Sequence, residues 1–484
     1  MTNKFRVVLS AILCAAILFA AVSCGESKND AGKTTEPATT APVVTTEPPY
    51  EPENAAELWL KIDETMDGLD SFEINGTMEM TYYYMGAKFT ATGTNYAVYL
   101  SDTAYSTLDT TLTCDEPAVN ETIKSMEAYY DGKMYTSYSD STIAQKLCSE
   151  MTFEEYEDAV ESDIDDEVDL ADCMKSDFEK TEDGWSLTFS GYTKKAIKQV
   201  METFGATEDQ LGADILDMEV KVTATEELMA KDISITFLFD EESDLSVTPV
   251  FSMVEEYSKY NEATFDASVL ATEEYTQVDD VRILGDLAEA ITEKQDEQAG
   301  SFVLELKTTT EIFGETEETV EKDTVTYGRK NGAYYYNIDV DVNGDLAKLQ
   351  YQNGVYSVTL DGETESYSLS DSDAKMTIDS LIDTASYNAY AVTAVEKKDE
   401  GVYVLTVGNF DLAAYNQSYA GTGVELTEGS QQITVTMDGD ELVKLESTVT
   451  AKGTYTYESQ SFDMNVTFES VIAFAEMDDS TVDA

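Results

Sequence analysis

Alternation between apolar and polar residues dominates the chain downstream of residue 70. In the segment SFEINGTMEMTYYY, four apolar residues share one phase: Phe72, Ile74, Met78 and Met80. A period of two places these side chains on one face, so the pattern predicts a half-buried strand. The run is longer than most strands, which favours a large, curved sheet. The same alternation recurs in two later segments, 218–225 and 233–239.

Helical periodicity is limited to a few segments. The first follows Asn54, a residue type favoured as an N-cap, and ends near Gly68. Its apolar residues recur at spacings of three and four on one helical face: Leu58, Ile62, Met66 and Leu69. A second helix is predicted over residues 193–204, with an apolar face of Ile197, Met201 and Phe204. A third helix carries Leu284, Leu287 and Ile291.

Asn-Gly and Asp-Gly pairs between apolar runs mark hairpin turns. They occur in the segments YDGKMY, KNGAYY, QNGVYS, LDGE and MDGDEL. Both pairs favour the type I′ turn that joins antiparallel strands through two residues. The sequence therefore predicts an α+β fold in two tandem domains. Each domain is a long, curved antiparallel β-sheet, an incomplete barrel, packed on a few helices.

Three pairs of segments recur in the same order in the two halves of the chain. The predicted helix before SFEINGTMEM corresponds to a helix before SFVLELKTTT. EKTEDGWSLT resembles EKKDEGVYVLT, and ISITFLFDEESDL resembles ITVTMDGDEL. The preserved order favours a duplication, and the alternative is chance similarity among strand-turn-strand segments.

These boundaries divide the chain into five parts. They are a leader at 1–23, a lipidated cysteine with a Thr/Pro-rich tether at 24–53, domains at 54–278 and 279–478, and a tail at 479–484. Five of the seven prolines lie in the tether. Pro-rich chains extend by about 3.1 Å per residue, so the tether could span roughly 90 Å. A tether of that length suits the thick wall of a Gram-positive cell envelope.

The N-terminus has the architecture of a bacterial lipoprotein leader. Lys4 and Arg6 precede an apolar run at residues 7–22, which is short for a membrane span. The sequence Ala21-Val22-Ser23-Cys24 resembles a lipobox, although Ala21 stands where Leu is commonest. The prediction is lipid attachment at Cys24 and a location on the extracellular face of the membrane. An ordinary secretory leader cut near Ser23 is the alternative.

Charge and composition exclude several classes of function. The chain has 97 acidic and 29 basic residues, a formal net charge of −68. Such a field repels nucleic acid phosphates, so no nucleic acid partner is expected. The chain has no histidine, which removes His-based catalytic triads and His-ligated zinc. No motif supplies a nucleophile or a cofactor site, so the sequence predicts a protein that is not an enzyme and needs no cofactor.

One segment, DVDVNGDLAKLQ, resembles an EF-hand calcium loop. Asp339, Asp341 and Asn343 occupy ligand positions, and Gly344 occupies the turn position. Gln350 stands where a bidentate Glu should complete the shell, and both flanks alternate like strands. A hairpin turn through Asn343 and Gly344 is therefore favoured, and no metal site is predicted.

Two surface features carry weaker hypotheses. Residues 153–177 hold twelve acidic residues. The first of them belong to the motif Thr152-x-x-Glu155, a capping box that predicts the start of a helix. They could bind divalent cations or a basic partner, but a solvated helical face is favoured. The tyrosine triplets at 82–84 and 334–336 could stack on glycans or line a cavity, but ordinary strand packing is favoured.

The cysteines leave their redox state open. Cys14 belongs to the leader and Cys24 to the anchor, which leaves Cys114, Cys148 and Cys173. One disulfide with one free thiol and three unpaired thiols both fit this count, because spacing does not determine connectivity.

The lipobox, the tether, a helix, long alternating strands and a DGKMY hairpin together resemble the LolA/LppX-like lipoproteins. The resemblance covers residues 54–278 and, more weakly, 279–478. It implies an incomplete barrel around an apolar cavity and a carrier of lipids or lipoproteins, with no catalytic residues. The cavity candidates are Leu58, Ile62, Phe72, Met78, Met80, Ile197, Met201 and Phe204. The alternative is an acidic structural or adhesive envelope protein that binds a protein or glycan, including the cell wall, without a cavity.

Overall fold

A computed structural model of the chain describes residues 51–84, 87–114, 119–141, 143–162, 173–197, 215–239, 250–297, 299–330, 333–382, 388–408, 416, 423–439, 441–457 and 460–475. The leader, Cys24, most of the tether and the tail lie outside these ranges. In the part of the chain that the structure describes, no helix is long and apolar enough to span a membrane.

Strands make up most of the first half. Helix α1 (Ala55–Asp67) precedes strands β1 (Ser71–Tyr84), β2 (Ala87–Leu100), β3 (Thr103–Cys114), β4 (Val119–Tyr130), β5 (Lys133–Ser139) and β6 (Ala144–Glu150). Helix α2 (Phe153–Ser162) precedes β7 (Lys175–Thr181), β8 (Gly184–Ser190), β9 (Ile215–Ala224), β10 (Ala230–Phe239) and β11 (Val250–Ser258). Short 3₁₀ helices at Ala267–Leu270 and Thr272–Glu274 lead to β12 (Thr276–Gln277).

The second half repeats this sequence of elements. Helix α3 (Ile283–Asp296) precedes β13 (Gly300–Ile312), β14 (Glu315–Lys330), β15 (Ala333–Val342), β16 (Asp345–Gln352), β17 (Val355–Leu360) and β18 (Glu363–Ser368). Helix α4 (Asp371–Ile382) and a 3₁₀ turn at Ala389–Ala391 precede β19 (Val392–Asp399), β20 (Val402–Val407), β21 (Val424–Asp438), β22 (Glu441–Tyr457) and β23 (Gln460–Phe474).

The predicted α+β class is wrong, because the fold is mostly β. It has two large sheets that are not closed, one of 12 strands and one of 11. The first has the order β12-β6-β5-β4-β3-β2-β1-β11-β10-β9-β8-β7, and the second β18-β17-β16-β15-β14-β13-β23-β22-β21-β20-β19. Each tight hairpin adds a further strand to a sheet, so strands outnumber the few amphipathic helices. The antiparallel pairing expected from the hairpin signals is confirmed for the strands on either side of all five segments, whereas β6 and β12 pair in parallel.

The described residues divide into two compact units. The first contains the described residues up to Ser141 together with Met151–Glu273, and the second contains Thr142–Glu150 and the described residues from Glu274 onward. Strand β6 belongs to the second unit, where the Gln145 amide donates to the carbonyls of Ala389, at 2.8 Å, and Val392, at 2.6 Å.

The two sheets share a strand order. In each, the first strand after the leading helix pairs with the second strand and with the last one, β1 with β2 and β11, and β13 with β14 and β23. The matched segments GWSLT and VYVLT lie in equivalent strands, β8 and β20. The third correspondence is wrong, because ISITF lies in β10, next to the last strand, and ITVTM lies in β21, two strands from the last.

Gly184 and Gly401 hold equivalent tight turns, β7 to β8 and β19 to β20. Gly184 has a φ of 139°, and a Cβ there would lie 2.0 Å from the Ala224 carbonyl oxygen. Gly401 has a φ of 68°, and a Cβ there would lie 2.2 Å from the Met437 carbonyl oxygen. Glycine is therefore required at both turns, for backbone conformation and for close approach to the neighbouring strand.

We expect Gly184→Ala to lower the free energy of unfolding of the first unit by about 2–4 kcal/mol, the sum of backbone strain and overpacking. Gly132→Ala is the matched control, because Gly132 also has a positive φ, 76°, but nothing lies within 4 Å of an added Cβ. Urea unfolding measures both variants. Equal losses would show that the close contact with β9 contributes nothing.

Candidate functional site

One face of the first sheet is buried beneath two helices; we call it the covered face. On β1 it consists of Phe72, Ile74, Gly76, Met78 and Met80. Helix α1 contacts β7, β8 and β10. The Ala230 amide of β10 donates to the Met66 sulfur of α1 at 3.3 Å. Leu58, Ile62 and Met66 are fully buried, as expected for the apolar stripe of an amphipathic helix.

Helix α2 lies on the same face. Its Tyr156 ring packs against Tyr129 of β4 at a tilt of 32° and a centroid distance of 5.4 Å. Cross-strand pairing connects Tyr129 through Ala104 and Tyr99 to Phe72. The Tyr156 hydroxyl donates to Glu127 at 3.2 Å. Residues directly opposite each other on antiparallel strands share a face. Both helices therefore close one continuous surface.

Four of the eight predicted cavity residues are buried on or against this face, Leu58, Ile62, Phe72 and Met80, and Ile197 is buried in the first unit. Met78 is half-buried. Ile197 lies in a helical turn that begins at Thr193, whose hydroxyl accepts from the Ala196 amide at 3.2 Å. Met201 and Phe204 lie outside the described residues. The candidates predicted on α1 and β1 therefore lie on one surface. Their contact with a ligand stays a prediction.

A polar strip crosses the middle of the covered face. Asn95 of β2 and Glu255 of β11 lie opposite Gly76 of β1, on either side of it. The Asn95 amide leans over the glycine, since a Cβ at Gly76 would lie only 1.8 Å from Asn95 Oδ1. Ser125 follows two strands further on, opposite Leu108. Because Gly76 has no side chain, it leaves the space in which the side chains of Asn95 and Glu255 converge from the two neighbouring strands.

Glu255 is fully buried, at 0% exposure. Its Oε2 accepts from the Tyr257 hydroxyl at 2.9 Å, whereas Oε1 has no hydrogen-bond partner. Burial raises the pKa of Glu255 to about 7, and the Tyr257 hydroxyl and the Asn95 amide lower it only in part. Burial also raises the pKa of Tyr257 well above its usual value, so this hydroxyl remains a donor.

Two further polar atoms of the covered face are buried without a hydrogen-bond partner: Asn95 Nδ2 in the strip, and Thr110 Oγ1 next to the strip, opposite Gly93. The Asn95 amide lies close enough to the Glu255 carboxylate to lower its pKa, but the two groups do not meet in the geometry of a full hydrogen bond. Thr110 lies beside Gly93, where an added Cβ would be 3.2 Å from its hydroxyl oxygen. A buried, unpaired polar group costs about 1–3 kcal/mol. Three such atoms on one face are therefore costly in the closed form of the first unit.

The corresponding face of the second sheet is built differently. Helices α3 and α4 contact each other and pack on β22 and β15 respectively. Its buried polar side chains are partly paired, since the Gln431 amide donates to the Ser447 hydroxyl at 3.0 Å. Asp323 is 3% exposed, its Oδ1 has no hydrogen-bond partner, and burial together with the Glu321 charge raises its pKa to about 6.

The segment resembling an EF-hand is a hairpin. Asp339 and Asp341 lie in β15, and Asn343 and Gly344 form the turn with φ of 54° and 96°. The Gly344 amide donates to Asp341 Oδ1 at 2.7 Å. Positive φ at both central residues is the signature of a type I′ turn, so the hairpin interpretation is confirmed.

The acidic run begins as predicted. The Glu155 amide donates to the Thr152 hydroxyl at 3.2 Å and the Thr152 amide donates to Glu155 Oε2 at 2.6 Å, which confirms the capping box of α2. Residues 163–172 lie outside the described ranges. Within those ranges no group of three or more acidic or cysteine side chains could hold a metal ion.

The structure describes the surroundings of the second tyrosine triplet and the state of the three remaining cysteines. Tyr334 and Tyr336 are buried, and Tyr336 stacks on Tyr351 at 5.7 Å, which agrees with strand packing. The side chains of residues 82–84 lie outside the described part of the structure. Cys114, Cys148 and Cys173 form no disulfide with one another.

The sequence analysis missed Glu255 and Asn95. The signal was present, because Glu255 shares the phase of Phe251, Met253 and Tyr257, all buried. A carboxylate in the apolar phase of a strand is unusual, since charged groups are rarely buried without a partner.

No family model matches the chain, and no curated protein matches it. Among solved structures, the chain is similar to a domain from Vibrio parahaemolyticus named for outer membrane lipoprotein sorting. That match has 11% identity, covers 42% of this chain and 97% of the domain, and has a TM-score of 0.17. A protein named AttH from Nitrosomonas europaea is 8% identical, with 89% of this chain and 98% of that protein covered and a TM-score of 0.15. Similarity this weak does not assign the chain to either family.

Proposed function

We propose that the protein is a lipid-anchored extracellular carrier that binds an apolar ligand between the covered face and the helices of its first unit. The observation that carries this proposal is the set of unpaired, buried polar atoms on an otherwise apolar face. In a permanently filled core, selection would favour apolar side chains at Asn95, Thr110 and Glu255, since unpaired polar atoms only cost stability. A ligand that forms hydrogen bonds with these atoms removes the cost of leaving them unpaired, and the free energy gained strengthens binding.

The covered face is closed in this structure, because Leu58, Ile62 and Phe72 are fully buried. Ligand entry therefore requires α1 or α2 to separate from the sheet. Helix α2 has the smaller contact with the sheet, since the Tyr156 ring and hydrogen bonds such as that from Tyr99 to Glu157, at 3.2 Å, hold it in place, whereas α1 contacts three strands.

Native mass spectrometry of the full chain, purified from membranes, tests the carrier function. We expect one noncovalent lipid adduct that disappears on denaturation, while the covalent anchor mass at Cys24 remains. Native and denatured spectra of the same sample separate the two lipids. Finding only the anchored chain in the native spectrum would contradict a carrier and agree with the adhesive alternative.

The anchor has its own prediction. Cys24→Ser removes the thiol that would carry the lipid, so we expect the protein to move from the membrane fraction to the culture medium. Cell fractionation and immunoblotting measure the distribution. Ser23→Ala, which keeps a small residue before the cysteine, serves as the control and should stay membrane-bound. Retention of the Cys24→Ser chain would show that something other than this thiol holds the protein.

A further inference from the structure

The covered face of the first unit has two apolar halves separated by the polar strip. One half contains Phe72, Ile74, Tyr99 and Tyr257, and the other contains Met78, Met80, Phe251 and Met253. Strands rise about 3.4 Å per residue, so the distance from Phe72 to Met80 is about 27 Å, with Gly76 at its midpoint. A ligand that follows β1 therefore meets polar groups in its middle and apolar surface at both ends.

The two unpaired atoms at the midpoint have opposite roles in a hydrogen bond. Asn95 Nδ2 is a donor, and Glu255 Oε1, when ionised, is an acceptor. They come from strands on opposite sides of Gly76 and converge above it. A complementary group must therefore accept from one side and donate to the other.

Resting on the carrier function proposed above, we infer that the ligand is an elongated apolar molecule with a secondary amide midway between two hydrocarbon arms. The amide oxygen accepts from Asn95 Nδ2, and the amide N–H donates to Glu255 Oε1. An ester offers only acceptors, so it leaves the carboxylate unpaired. A phosphate or carboxylate group adds a negative charge next to buried Glu255, which is strongly unfavourable in a region excluded from water.

Two matched probes test this assignment: N-octyloctanamide and octyl octanoate, which differ only in the N–H. Both have arms of equal length, as the central position of Gly76 requires. Isothermal titration calorimetry uses the full chain with Cys24→Ser, so that no anchor lipid competes. The titration is run at about pH 8.5, because Glu255, with a pKa of about 7, is then ionised and acts only as an acceptor. We expect the amide to bind about tenfold or more tightly than the ester, since one unpaired buried group separates the two complexes.

Variants then assign the two hydrogen bonds. Glu255→Met removes the acceptor, so the preference for the amide should fall to about one while the ester affinity stays unchanged. Glu256→Met, at the exposed neighbouring position, is the control and should keep the preference. Asn95→Ala removes the donor that both probes use, so both should bind about tenfold more weakly. Glu255→Met leaves the buried Tyr257 hydroxyl without its acceptor, and Asn95→Ala removes side-chain volume. Urea unfolding of each variant, followed by tryptophan fluorescence, therefore separates loss of binding from loss of folding.

The outcomes are separable. Binding of neither probe, together with no lipid adduct in the native mass spectrum, contradicts the carrier function itself. Binding of neither probe when an adduct is present overturns only the amide ligand. Equal binding of both probes leaves the carrier function standing and overturns the amide. Retention of the amide preference in Glu255→Met, or unchanged affinities in Asn95→Ala, overturns the placement of the amide above Gly76.

Discussion

Leu58→Ala should lower the free energy of unfolding of the first unit by about 3 kcal/mol, within the usual range of about 2–5 kcal/mol for truncating a buried leucine. Leu58 is fully buried on α1, one of the two helices that close the covered face. Leu60 on the same helix is 50% exposed, so Leu60→Ala should cost less than about 1 kcal/mol. The pair compares identical chemistry on opposite faces of one helix.

Both tryptophans of the chain, Trp59 and Trp185, lie in the first unit, so tryptophan fluorescence during urea unfolding reports on this unit alone. The apolar probe N-octyloctanamide adds a second measurement. If Leu58 contacts the ligand, the probe should restore less stability to Leu58→Ala than to the unaltered chain. An equal gain in both would place Leu58 in the core and away from the ligand. Equal costs for Leu58→Ala and Leu60→Ala would contradict the packing of α1 itself.

Glu255→Gln should change how stability depends on pH. The pKa of Glu255 is about 7 in the folded chain against an ordinary value of 4.5. A raised pKa means that stability is fully present below about pH 4.5 and is lost as pH rises through 7. A neutral amide removes that loss. We expect the variant to match the unaltered chain near pH 4.5 and to be more stable by up to about 3 kcal/mol at pH 8.

The general acidity of the chain also makes stability depend on pH, so a charge-matched control is needed. Glu256→Gln removes the same charge at the adjacent, exposed position and should leave the pH profile nearly parallel to that of the unaltered chain. Urea titrations at several values between pH 4.5 and pH 8.5, followed by tryptophan fluorescence, measure all three proteins. A Glu255→Gln profile parallel to the control would show that Glu255 ionises as easily as a surface carboxylate.

A stabilising change at a buried position is itself informative. Most substitutions in a core destabilise, because they leave cavities or strain. A residue whose removal stabilises the chain at neutral pH is a candidate for a role in binding, since functional sites often reduce stability. Glu255 therefore connects the stability measurement to the binding measurement, since Glu255→Met should abolish the amide preference while the unit remains folded.

Much of the local structure follows from the sequence. The phase of β1, the apolar stripe of α1, the capping box at Thr152 and the turn at Asn343 and Gly344 all agree with the structure. Each depends on residues within a few positions of one another, where spacing and backbone preference decide the outcome. The class was wrong because counting helices and strands locally does not show how many strands one sheet will join.

The sequence likewise predicted only those parts of the candidate site that depend on local spacing. The phase of β1 identified Phe72, Met78 and Met80 as one surface, and helical spacing identified Leu58 and Ile62 as its cover. Glu255 was overlooked, although its phase placed it on the buried side of β11. In a chain with 97 acidic residues, this single out-of-pattern carboxylate became evident only when the structure showed its buried neighbours.

The sequence by itself determined which side chains share a face of each strand and where each hairpin turns, because these follow from periods of two and from backbone preferences at single residues. Only the tertiary structure decided that β11 pairs with β1 and β23 with β13. Pairing between strands distant in the chain depends on the packing of the whole unit, and no local period encodes it. That pairing places Asn95 and Glu255 on either side of Gly76, which creates the candidate site.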